Sequence, residues 1–126
     1  MLDKCEAQHY VAQNMNMPDD ITKSCFDTLL AATAADNLEQ FVSVGNETFK
    51  DAALGRPEVF HRVSRSLAPR IQKGCTPTFL GELHHKSYTA SLWRLRFDDG
   101  GDDLLFRIGI ADGKVAGALV GKTLGW

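Results

Sequence analysis

From Thr76 onward the apolar residues recur every second position, and this alternation most constrains what the chain can fold into. Successive strand side chains point to opposite faces. The segments "TPTFLGELHH", "YTASLWRLRF" and "DLLFRIGIA" therefore read as antiparallel strands, the last running through "DG" into "KVAGALV". Asp112–Gly113 is a two-residue hairpin signal, because both central positions of such a turn need a positive φ. Taken as that turn, it sets Ile110 opposite Val115, Ile108 opposite Gly117 and Phe106 opposite Leu119. Closing "FDDGGDDL" with Phe97 opposite Leu104 puts Leu95 against Phe106 and Trp93 against Ile108. Trp93, Leu95, Phe97, Leu104, Phe106, Ile108, Ile110, Val115 and Leu119 then share one face, a set that a one-residue slip would scatter.

The other face carries Leu92, Arg94, Arg96, Leu105, Arg107, Ala116, Ala118 and Val120. In this register Arg94 lies opposite Arg107, which is unfavourable without an intervening carboxylate. Glu82 can supply one if the preceding hairpin has an odd loop or a bulge, and that register also turns Phe79 and Leu83 to the apolar face. The neighbours His84 and His85 cannot ligate one metal from a regular strand. His85 is expected to lean toward the apolar face and His84 away from it, which leaves His85 as a candidate for chemistry.

Upstream the period is 3.6. "MPDDITKSCFDTLLAATAADN" starts on Pro18 and Asp19–Asp20, suited to a helix N-terminus, and places Ile21, Cys25, Phe26, Leu29 and Leu30 on one broad arc. Asp36–Asn37 ends it, and "NLEQFVSV" reads as a short second helix. "GNETFKDAALG" reads as a loop with a brief extended piece around Thr48–Asp51. "RPEVFHRVSRSLAPRIQKGC" is the third helix, with Pro57 at its first position, Gly74 as its stop and Phe60, Val63, Leu67 and Ile71 in one stripe. Pro69 falls on its outer side. Residues 1–17 are polar and unpatterned and read as an arm preceding a single domain over 18–126.

At 126 residues a single core can form without a metal or disulfide staple. A formal net charge of −2 argues against a general nucleic-acid binder. Three widely spaced cysteines, Cys5, Cys25 and Cys75, suit reduced thiols in a cytoplasm. No apolar run approaches a membrane span. No zinc-spaced cluster, nucleophile–base pair or phosphate-cradling glycine loop is visible, and no cofactor is expected.

A helical half followed by a long, strongly curved antiparallel sheet is an α+β layout. On "LLAATAADNLEQFVSV", "GNETFKDAA" and "IADGKVAGALV", over about residues 18–121, the chain resembles the nuclear-transport-factor-2-like superfamily. This is the cystatin-like cone or half-barrel shared by ketosteroid isomerases and polyketide-cyclase-like proteins. The resemblance implies three helices packed on the sheet around a conical apolar pocket, lined here by Phe60, Val63, Leu67, Trp93, Phe106 and Ile108. It also implies a homodimer through the outer sheet face, at Leu92, Arg94, Leu105 and Arg107. In the isomerase-like members a loop aspartate removes a carbon-bound proton, and Asp51 stands at about the matching place, one residue out of step. Their oxyanion donors do not carry over: Phe26 and Leu30 stand where a tyrosine is wanted, and His85 or Ser91 would have to substitute. The expectation is a non-catalytic binder of a small apolar ligand. The alternatives are a pocket enzyme of isomerase, cyclase or dehydratase type using Asp51 and His85 as acid and base, and an interaction module working through the outer face.

Overall fold

The computed structural model describes residues 17–122, and the expected arm over 1–17 lies outside them but for Met17. Helix α1, Asp20–Ala35, is capped by Asp19, whose carboxylate accepts the Thr22 N–H at 2.7 Å. It stops at Asp36 in the left-handed region (φ 55°), whose N–H returns to the last turn. Short α2, Leu38–Val42, is capped by Asn37. The next segment departs from expectation. "ETFKDAALG" forms helix α3, Glu47–Gly55, not a loop with an extended piece, because Asn46 accepts the Phe49 N–H at 2.9 Å and Glu47 sits in the first turn. Helix α4, Pro57–Lys73, begins on Pro57 and ends before Gly74, with Pro69 on its exposed side. The described residues are thus α+β with four helices, not three, preceding the sheet.

The α1–α4 contact is close because α1 ends in small residues. Ser64 donates to the Thr33 carbonyl at 2.6 Å and Gln72 to the Ala34 carbonyl at 2.9 Å, satisfying carbonyls that a helix C-terminus leaves open.

Strands β1 (Cys75–His84), β2 (Thr89–Phe97), β3 (Leu104–Ala111) and β4 (Lys114–Gly121) form one antiparallel sheet in sequence order. The Asp112–Gly113 turn is present, with positive φ at both residues and Ile110 opposite Val115. Ala116 then forms a bulge, so Ile108 faces Ala118 and Phe106 faces Val120. Leu119 is turned outward, 57% exposed, instead of joining the apolar face. Between β2 and β3 the pairing is two residues from the expected one: Trp93 faces Phe106 and Leu95 faces Leu104. A shift of two preserves the faces, so the apolar set stays together. It also removes the Arg94–Arg107 opposition, since Arg94 now faces Leu105 and Arg107 faces Leu92.

In β1 a bulge at Leu80 reverses the side-chain parity. Phe79 stays on the inner face opposite Trp93, but Leu83, opposite Ala90, goes to the outer face and is 49% exposed. The same reversal corrects the histidines. His84 pairs with Thr89 on the Trp93 side, and His85 leaves the strand for the turn, its N–H donating to the Tyr88 carbonyl.

The core lies between α1 and the inner sheet face. Phe26 is fully buried, stacked on Trp93 with centroids 3.8 Å apart and planes 5° from parallel. Phe79 and Phe106 meet this pair edge-on. The Trp93 indole N–H donates to Ser91 at 3.1 Å, so the ring is buried without an orphan donor. Cys25 and Cys75 are free thiols, and burial pushes both up from the usual cysteine range.

Candidate functional site

The segment before α3 is stitched to β4: the Asn46 N–H donates to the Val115 carbonyl and the Val115 N–H to the Val44 carbonyl, both at 2.9 Å. This draws α3 against β4, while α4 packs on α1 and reaches the sheet at β1 and β2. Between α3, α4 and β4 a cleft of about 500 Å³ remains. Its walls are apolar: Phe41, Phe49, Phe60, Leu67, Phe106 and Val120 all line it. Phe41 touches both Phe49 and Phe60, at 5.4 and 4.7 Å between centroids. The size and character are those of a small-molecule site.

The polar lining is sparse. Thr33 donates its hydroxyl proton to the Leu29 carbonyl at 2.8 Å and Ser64 donates to the Thr33 carbonyl at 2.6 Å, so neither hydroxyl proton is free for a ligand. Thr48 and Arg56 stand at its exposed edge, and among the described residues Arg56 is the single ionisable one in the lining. Hydroxyls with committed protons and a guanidinium do not make an acid/base pair.

The residues singled out from sequence fall in separate places. Phe60, Val63, Leu67 and Phe106 line the cleft, whereas Trp93 and Ile108 are packed away in the core. Asp51 is exposed on α3, beside lining residues but not among them. His85 is exposed in the β1–β2 turn, stacked on Tyr88 at 4.5 Å. Neither expected acid/base residue therefore faces the cleft. Ser91 is likewise occupied, by Trp93. Leu92, Arg94, Leu105 and Arg107 lie half-buried on the outer face, where Arg107 donates to the Tyr88 hydroxyl at 3.3 Å. A hollow of about 260 Å³ lies there beside Tyr88, Arg107 and Leu119. Phe49 on α3 and Arg56 at the junction of α3 and α4, which periodicity does not single out, also enter the site. The one local signal for them was the Asn46 cap three residues before Phe49.

Two clusters, each centred on a carboxylate, brace the helices outside the cleft. Asp36 accepts from His61 Nδ1 at 2.7 Å and lies 3.5 Å from Arg65; the His61 hydrogen bond, foremost, holds its carboxyl below the usual range. Arg70 grips Asp99 at 2.7 Å, donates to the Asp102 carbonyl and covers the Phe97 ring at 3.9 Å, tying the β2–β3 loop to α4. The Arg70 hydrogen bond likewise lowers the Asp99 carboxyl. Among the described residues no cluster of histidine, cysteine or carboxylate groups could hold a metal ion. No helix among them is long and apolar enough to cross a membrane. No protein-family model matches the chain, and no curated protein matches it.

Proposed function

We propose that this chain is a member of the nuclear-transport-factor-2-like superfamily that binds a small, largely apolar molecule in the cleft between α3, α4 and β4, in the cytoplasm and without acting on it chemically. The observation that carries the reading is the cleft itself, about 500 Å³ in volume, walled by four phenylalanines and, among the described residues, lacking an acid/base pair. Helices followed by an antiparallel meander support the superfamily, and free thiols support the compartment. The neutral dye N-phenylnaphthylamine should brighten on binding the protein. Ala53→Trp, which puts an indole into the cleft from α3, should weaken that binding by at least about tenfold with the melting temperature retained. A dye signal that is absent, or equal in the variant, would rule out the cleft.

A homodimer through the outer sheet face is the second part of the proposal. Its support is Arg94, whose buried Nε has no hydrogen-bond partner among the described residues. A buried donor left unpaired costs about 1–3 kcal/mol; Nε itself is closed to a second chain, and a carboxylate from a second copy would pair with the outer end of the same guanidinium. Leu83 and Leu119 add apolar surface that such a copy would cover. Light scattering should give twice the chain mass of 13.9 kDa, and Arg94→Glu should give the single-chain mass. A wild-type monomer, or a dimer indifferent to the charge reversal, would refute it.

A further inference from the structure

We infer that the ligand is an anion, an amphipathic carboxylate with an aromatic or alicyclic body, held with its charged end at Arg56. The inference rests on the cleft reading and adds polarity and direction to it. Among the described residues Arg56 is the only charged group lining the cleft, and it stands there in a chain whose net charge is −2, so it is not part of a general basic excess. Its one described partner is weak. Glu58 meets Nε at 3.5 Å with both side chains largely in solvent, 75% and 63% exposed, and pairs of that kind contribute little. The contact engages Nε and leaves the two terminal nitrogens, which can grip a carboxylate with two parallel hydrogen bonds.

The rest of the lining gives the orientation. At the exposed edge Thr48 adds a hydroxyl near the start of α3. Deeper in, Phe60 and Leu67 are almost fully buried and Phe106 closes the sheet side. The two inner hydroxyls, Thr33 and Ser64, have given their protons to backbone carbonyls and have none to offer an anion. An anion placed there would be desolvated among acceptors and apolar carbon, a strongly unfavourable position. The same anion at the edge meets Arg56 and keeps part of its hydration. Charge at the lip and ring within is therefore the arrangement that leaves no group unpaired.

The test compares biphenylcarboxylate with biphenylmethanol, which share a body and differ in the head, each titrated against dye-loaded protein at low salt. Wild type should bind the carboxylate about tenfold more tightly, the scale of one charge-assisted contact at an exposed site. Arg56→Gln should abolish that preference with the melting temperature retained, since Arg56 is exposed and its side chain makes no helix-capping bond. Equal wild-type affinities, or a preference that survives Arg56→Gln, would overturn the anion while leaving the cleft reading intact. If neither compound displaces the dye, the anion inference falls, while the cleft reading stands or falls on the dye signal of wild type and Ala53→Trp.

Discussion

Phe26→Ala is expected to lower the unfolding free energy by about 3–5 kcal/mol, the usual cost of deleting a buried phenylalanine ring. The site gives no reason for a smaller loss. Phe26 is wholly buried on α1, lies flat against Trp93 and meets Phe106 edge-on. Aromatic pairs of this kind contribute about 0.5–1.5 kcal/mol beyond the area they bury. Collapse into the void is hindered on every side. Trp93 is pinned by its strand and by the Ser91 hydrogen bond, and Phe79 stands against its other edge. The melting temperature should fall by roughly 10–20 °C for a domain of this size. Urea titration followed by tryptophan fluorescence gives the free energy directly, because Trp93 reports from within the cluster. Phe26→Leu, which keeps most of the volume, should cost well under half as much. An alanine variant within about 1 kcal/mol of wild type would mean that α1 does not seat on the sheet as described.

How far this arrangement could be read in advance depends on what each signal reports. Period-2 alternation reports which face a residue occupies, and Trp93, Leu95, Phe106 and Ile108 are all inside as expected. It is blind to a slide of two residues, which is the error at the β2–β3 pairing, since the same side chains stay on the same face. It is also blind to bulges, and both bulges changed an assignment. Leu80 sent Leu83 outward and altered the histidines, while Ala116 sent Leu119 outward. Each bulged residue precedes a glycine, Gly81 or Gly117, a local mark that alternation leaves unused. Helix α3 was hidden because Gly45 and Asn46 read as loop residues, although Asn46 is an equally good cap. The cleft had no local signal at all. It arises because β4 is bound to the segment before α3 while α4 sits over the opposite half of the sheet, and Arg56 reaches the site only because α3 and α4 meet there.

Gly74→Ala should cost about 2–3 kcal/mol through the backbone rather than through any lost contact. Helix α4 ends at Lys73 and β1 begins at Cys75, so the whole reversal from helix to strand falls on one residue. Gly74 makes it at φ 141° and ψ 124°, a region an L-residue scarcely enters. The position is also held from both sides. Its N–H donates to the Ile71 carbonyl at 3.1 Å, and its carbonyl accepts from the Asp98 N–H at 2.9 Å. Alanine restricts the unfolded chain more than glycine does, an offset of about 0.4–1 kcal/mol that works the other way. A Cβ here would also overlap the Asp98 carboxylate, so strain and collision must be separated. The carboxylate belongs to a loop residue and can swing aside; the φ angle cannot change without pulling Cys75 out of register with Phe97. The melting temperature of Gly74→Ala should therefore drop by roughly 8–12 °C, and adding Asp98→Ala should recover little of it. Full recovery in the double variant would assign the loss to the collision, and an unchanged single variant would mean that the helix-to-strand junction relaxes to accept a side chain.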